Sequence, residues 1–159
     1  MANARGKKVD TTYLSIDNAE ERGFLHRDYI AHCLRWSHVV KYLGTSQRYK
    51  SARVLDVGCG KEMPLSKLLH SSRMGTAWYG AVDVAPLVTP EQFRNASWKP
   101  HKLWSKTDVC TLKPDDFEAP PTAIVCFEVA EHVEPDHCRR MLAKFHELLE
   151  DEGLSLIHI

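Results

Sequence analysis

Residues 53–69 restrict the fold more tightly than any other stretch of this chain. Arg53-Val54-Leu55-Asp56-Val57 is a short apolar run rich in β-formers; it stops at Gly58-Cys59-Gly60, and Pro64-Leu65-Ser66-Lys67-Leu68-Leu69 follows. Strand, glycine turn and proline-led helix make the first half of a β-α-β unit. Trp78-Tyr79-Gly80-Ala81-Val82-Asp83-Val84 supplies a second strand, Trp104 to Asp108 a third, and Ala123-Ile124-Val125-Cys126-Phe127 a fourth. The fourth is apolar throughout, as a parallel strand buried on both faces should be. After it, Pro135 opens a helix in which Cys138, Met141, Leu142, Phe145, Leu148 and Leu149 form a 3.6-period stripe, with Gly153 as its stop. Strands alternating with helices imply an α/β fold whose parallel sheet is covered on both faces.

Residues 1–16 are a polar lead-in. From about Asp17 to Leu43 the pattern is helical: Tyr29, Cys33, Trp36, Val40 and Leu43 recur at spacings of four and three, on one face. Gly23 interrupts or starts this region and Gly44 is its expected stop. The chain thus divides into an N-terminal helical region over 1–45, an α/β domain over 46–153, and a tail over 154–159. Leu154-Ser155-Leu156-Ile157-His158-Ile159 has the composition of a strand. It is also the translation, in one frame, of a common transposase-type sequencing adapter. The expectation is therefore that the native sequence stops at or near Gly153 and that the tail is non-native; the alternative is a genuine fifth strand.

Composition narrows the setting. In 159 residues, 21 Lys and Arg balance 21 Asp and Glu, so no overall positive charge supplies non-specific affinity for nucleic acid. No apolar run approaches the ~20 residues that span a bilayer, and no apolar stretch follows the charges of residues 1–8, so neither a membrane span nor a secretory signal is expected. Cys33, Cys59, Cys110, Cys126 and Cys138 are odd in number and never form C-x-x-C, which argues against a disulfide framework or a zinc ribbon. A reducing cytoplasmic setting is expected. His26, His32 and His38 are six residues apart, about 240° in turn on a helix, and cannot converge on one ion. His137-Cys138 has no partner pair, and no metal is expected.

In open parallel sheets, ligands sit outside the carboxyl ends of the strands, at the point where strand order reverses. The informative residues are therefore those just after each strand. The glycine turn Gly58-Cys59-Gly60 lets a ligand approach bare backbone. Asp83 stands 23 residues beyond Gly60, the usual distance for a carboxylate that accepts ribose hydroxyls. Asp108-Val109 follows the third strand, and Glu128-Val129-Ala130-Glu131-His132 the fourth. A pyrophosphate-binding G-x-G-x-x-G would need glycine at 63, where Met63 stands. Asp56 and Glu62 flank the turn; carboxylates there repel phosphate and suit a ligand that carries an ammonium and a sulfonium.

Val54-Leu55-Asp56-Val57-Gly58-Cys59-Gly60 resembles the first motif of class I S-adenosylmethionine-dependent methyltransferases. Ala123 to Pro135 resembles the same family's E-V-x-E-H-[VI] segment after the fourth strand, and the likeness extends over about residues 50–153. The resemblance implies a Rossmann-like, doubly wound, mostly parallel sheet, incomplete at its C-terminal edge, since the family's sheet has seven strands. It implies S-adenosyl-L-methionine as cofactor. Gly58, Cys59 and Gly60 would line its methionine portion, with Asp56 near the amino group and Phe127 contributing backbone there. Asp83 would hold the ribose with Val84 on the adenine, Asp108 would take the adenine amino group with Val109 beside the ring, and Glu128 would lie near the methyl-transfer face.

Methyl transfer from a sulfonium is an in-line displacement in which the enzyme supplies alignment, exclusion of water and, for weakly acidic nucleophiles, a base. His132 is the candidate base, with Glu128 and Glu131 behind it; the competing reading is that His132 orients its segment. Glu131 is expected to face solvent. The E-V-x-E-H variant is most familiar in enzymes acting on small molecules, which favours a small-molecule acceptor. A nucleic-acid or protein acceptor, or a cofactor-binding fragment without turnover, is the alternative. The basic-aromatic segment Trp98 to Lys106 is the feature that a nucleic-acid strand would use.

Overall fold

A computed structural model describes residues 29–45, 51–61, 63–71, 76–87 and 99–158. Helix α1 spans Tyr29–Thr45, strand β1 Arg53–Val57, helix α2 Pro64–Ser71, strand β2 Trp78–Asp83, strand β3 Lys102–Ser105, strand β4 Ala123–Phe127, helix α3 Pro135–Leu148 and strand β5 Leu154–His158. All the strands pair in parallel in the order β3-β2-β1-β4-β5. The chain leaves β1 in one direction through β2 to β3 and then returns to β4 on its other side. The strand order therefore reverses between β1 and β4.

The two-residue period of the strands sorts the core into two layers. On one face Val54, Tyr79, Ala81, Ala123 and Val125 pack with Val39 and Leu43 of α1 and with Leu65 and Leu69 of α2. On the other, Leu55, Val57, Val82, Ile124 and Cys126 pack with Met141, Phe145 and Leu148 of α3. The sheet is thus doubly wound, with helices on both faces. No described helix is long and apolar enough to cross a membrane.

Several boundaries differ from expectation. β2 ends at Asp83, one residue before Val84. The third strand runs over Lys102–Ser105 rather than Trp104 to Asp108. It stops early because Lys106 adopts a φ of 53° and the Thr107 amide turns to the Asp83 carbonyl at 3.0 Å. α1 runs through Gly44 to Thr45; its apolar face holds Trp36, Val40 and Leu43 as expected, with buried Val39 at its centre. Leu142 is 42% exposed, not in the α3 stripe: Met141, Phe145 and Leu148 sit at i, i+4 and i+7, and Leu142 lies about 100° round from Met141. α3 ends at Leu148, and Gly153 donates to the Glu150 carbonyl at 2.8 Å in the turn that leads into β5. Residues 154–158, expected as a non-native tail with a strand as the alternative, take the strand geometry beside β4. The expectations for residues 1–28 and for Glu62 lie outside the described residues, as do the side chains of Tyr29, His32 and Cys33.

Candidate functional site

The register carries the strand ends to one level. Val57 pairs with Val82 and with Cys126, so Gly58, Asp83 and Phe127 emerge side by side at the reversal point. A cavity of about 580 Å³ opens there. Asp56, Gly58, Cys59, Gly60, Asp83, Val84, Asp108, Val109, Phe127, Glu128 and His132, all singled out in the sequence, line it. The segments that follow four separate strands converge on one hollow.

The glycine turn is built for this place. Gly58 and Gly60 have φ of 69° and 66°, a region that side chains resist. A Cβ on Gly58 would stand 2.2 Å from Val129 Cγ2, so this glycine lets the β4 loop close against the turn. At Gly60 nothing lies within 4 Å of an added Cβ, so bare backbone faces open space. The Gly58 amide donates to the Val82 carbonyl at 2.9 Å, and the Gly60 amide to Asp83 Oδ2 at 2.9 Å. Asp83 Oδ1 accepts the Ala85 amide at 2.8 Å. Each oxygen has accepted one bond and keeps a further acceptor position for a ligand hydroxyl.

Asp56 is 6% exposed, and its Oδ2 accepts the Tyr79 hydroxyl at 2.5 Å. Burial pushes its carboxyl up to about 7, against the Tyr79 hydrogen bond, which lowers it, and with help from the nearby Asp83 charge. The Tyr79 hydroxyl is itself driven well above the usual range by burial and by Asp56. Cys59 is buried, and burial with the Asp56 and Asp83 charges pushes its thiol far up, so it is packing rather than nucleophile. Burial also pushes the Cys126 thiol up to about 12.

Asp108 follows β3 by three residues and caps the 3-10 turn Val109–Thr111, its Oδ1 accepting the Cys110 amide at 2.9 Å. Its Oδ2 lies 3.4 Å from His137 Nε2. Glu128 leaves β4 with a φ of 59°, strain that turns its side chain along the cavity wall. Its Oε1 is 2.9 Å from Arg35 Nη1 and 3.0 Å from His158 Nδ1. The carboxylate therefore faces a guanidinium from α1 and is not the partner of His132. His132 is exposed, and so is Glu131, as expected of the latter. Arg35 and Trp36, which also line the cavity, were missed as site residues. They lie on a helix ahead of the first strand, where no local motif marks them.

The family profile described as "Methyltransferase domain" matches residues 26–159. The chain belongs to that family. No curated protein matches the sequence. Among solved structures, this methyltransferase domain is similar to the magnesium protoporphyrin IX methyltransferase of Synechocystis PCC 6803 with bound SAM. The TM-score is 0.56 at 17% identity, over 77% of this chain and 56% of that one. The N-methyltransferase NodS of Bradyrhizobium japonicum WM9, in complex with S-adenosyl-L-homocysteine, gives 0.58 at 19% identity, over 91% and 71%. An S-adenosylmethionine-dependent methyltransferase of Clostridium acetobutylicum ATCC 824 gives 0.58 at 17%, over 89% and 54%. The likeness is one of fold: the Rossmann-like sheet expected from the sequence is shared. The methyltransferase domain described here spans just over half the length of the first of these structures.

Proposed function

We propose that this domain holds S-adenosyl-L-methionine in the cavity at the β1–β4 reversal and serves methyl transfer to a small-molecule acceptor. One observation carries the reading: the wall of that cavity combines an open glycine backbone at Gly60 with carboxylates from Asp56, Asp83, Asp108 and Glu128. Such a wall rejects a pyrophosphate and accepts a ligand bearing cations and hydroxyls. When bound, the cofactor supplies an electrophilic methyl on a sulfonium. Gly58, Cys59 and Gly60 flank its amino-acid portion, with Asp56 toward the ammonium and Phe127 lending backbone. Asp83 takes the ribose hydroxyls on its remaining lone pairs. Val84 and Val109 bracket the adenine, and Asp108 accepts its amino group. Glu128 stands at the methyl-transfer end, its charge offset by Arg35. His132, on the cavity wall and exposed, is the group free to take a proton from an acceptor.

A small-molecule acceptor is favoured over nucleic acid because Lys102 and Trp104 of the basic-aromatic segment are already engaged; Trp98 lies outside the described residues. Trp104 packs on Trp78 and Phe117 at centroid distances of 6.3 and 5.3 Å. Lys102 lies 4.8 Å over the Trp104 ring and donates to the Asp116 carbonyl. Stacking a base there would break this cluster. Cys59, Cys110, Cys126 and Cys138 are free thiols, which accords with the reducing cytoplasm we propose as the setting.

Calorimetric titration of S-adenosylhomocysteine into the chain tests the proposal, with Asp83→Ala as control and circular dichroism to check folding. Binding that the folded control loses is expected; a folded wild-type chain that takes up no ligand refutes the reading.

A further inference from the structure

Three residues with metal-ligating side chains, two of them lining the cavity, meet although they are scattered in sequence. Asp108 and Cys110 lie in the capped turn after β3, and His137 in the first turn of α3. One ligand atom from each falls within 4.8 Å of the others. His137 Nε2 is 3.4 Å from Asp108 Oδ2 and 3.9 Å from Cys110 Sγ.

Those separations approach what a tetrahedral ion imposes. With zinc bonds of about 2.0 Å to oxygen, 2.05 Å to nitrogen and 2.3 Å to sulfur, adjacent ligands stand about 3.3 Å apart for N and O. For N and S the same geometry requires about 3.6 Å. His137 Nε2 therefore needs to close on its two partners by only a few tenths of an ångström around an ion, and Asp108 and Cys110 bring their ligand atoms within 4.8 Å of each other. Asp108 is already oriented: its Oδ1 accepts the Cys110 amide and keeps a second acceptor position for the adenine amino group, while its Oδ2 faces His137. We propose that Asp108, Cys110 and His137 form a binding site for a zinc-class divalent cation, with the fourth position open to an adjoining groove of about 510 Å³. Thiolate with imidazole selects zinc or cobalt over magnesium or calcium, which prefer oxygen alone.

Binding exchanges the Cys110 S–H proton, released to solvent, for an S–metal bond, while His137 contributes its Nε2 lone pair. That imposes a change on its neighbour. Arg140 Nη2 stands 3.1 Å from His137 Nδ1 and can only donate, so Nδ1 bears the lone pair in the metal-free chain. The metal-bound ring must carry its proton on Nδ1, and exposed Arg140 must turn away. Arg140 therefore opposes the metal through both its hydrogen bond and its charge. The absence of a metal expected from the sequence rested on linear spacing, which cannot reveal residues gathered from two elements.

The test is titration of the full chain with cobalt(II), thiols kept reduced by a phosphine. One equivalent should give a thiolate-to-cobalt charge-transfer band in the near ultraviolet and tetrahedral visible bands, and one equivalent of zinc should erase them. Cys110→Ser should abolish the charge-transfer band and Cys138→Ser should keep it. His137→Gln should weaken binding at least about tenfold. Arg140→Ala, a surface change that leaves folding intact, should strengthen it several-fold. A chain without the band at millimolar cobalt, a band that survives Cys110→Ser, or an affinity unmoved by Arg140→Ala would overturn the site.

Discussion

Replacing Gly58 by alanine isolates what the glycine turn contributes to the fold. The new Cβ meets two obstacles: a φ of 69° and the Val129 Cγ2 methyl 2.2 Å away. Left-handed backbone costs about 1–2 kcal/mol for an L-residue, and overpacking costs about 1–3 kcal/mol. The single variant should lose roughly 2–5 kcal/mol, a urea midpoint shift of about 1–2.5 M at ~2 kcal/mol/M. Val129→Ala removes the methyl that is struck but leaves the backbone strain. In the double variant the overpacking part, about 1–3 kcal/mol, should therefore return as coupling between the two sites. Gly60→Ala provides the contrast. It carries the same backbone strain with nothing within 4 Å, so Val129→Ala should give it no rescue, and ligand affinity should fall instead. Urea unfolding followed by circular dichroism measures all five variants. Strictly additive losses for Gly58→Ala and Val129→Ala would refute the argument that Gly58 exists to admit Val129.

Other outcomes follow from the buried acid and from the ion pair at the mouth. Asp56 is raised to about 7; between about pH 4 and 7 the folded chain keeps a proton that the unfolded chain has released. Stability should therefore fall as pH rises through that window, by at most about 1.4 kcal/mol per unit from this group, and level off above it. Asp56→Asn should flatten the slope, and a slope unchanged by that variant would show that other groups set it. Tyr79→Phe removes a hydrogen bond to that carboxyl and should destabilise by about 1.5–3 kcal/mol when Asp56 is charged, less when it is protonated. Unfolding curves at pH 5 and pH 8 distinguish this from a loss that ignores pH. Arg35→Ala should cost at most about 1 kcal/mol of stability, because the pair is partly exposed. It leaves Glu128 without that guanidinium, so the preference for the sulfonium cofactor over its uncharged sulfide product should rise about threefold to tenfold. Competitive titration reads the ratio, and an unchanged ratio would remove Glu128 from the methyl end.

The parts of the fold legible in the sequence were those governed by local patterns. The β1-turn-α2 unit and β4 stood at their expected residues because an apolar run, a glycine turn and a proline signal each act over a few neighbours. β3 was misplaced because its start is set by pairing with β2, including the His101 amide on the Tyr79 carbonyl at 2.8 Å, not by its own composition. Leu142 was misassigned because a stripe read from spacing has no width until the opposing surface is known. In the site, residues following strand ends were accessible to reasoning, since parallel strands bring their carboxyl ends together. Arg35 was not: its meeting with Glu128 depends on how α1 lies across the sheet. The Asp108–Cys110–His137 cluster was equally hidden, joined only by the docking of α3 on the turn after β3.

The cavity at the β1–β4 reversal, proposed to hold the sulfonium cofactor, should present the cofactor's methyl toward Glu128 and His132. The direct measurement is an NMR titration of the chain with S-adenosylmethionine carrying a carbon-13 methyl group. One bound methyl resonance is expected, with cross-relaxation to protons of Phe127, Val129 or His132, lost on Asp83→Ala. A bound methyl that contacts residues outside this cavity, or a folded chain that leaves the resonance unchanged, would contradict it.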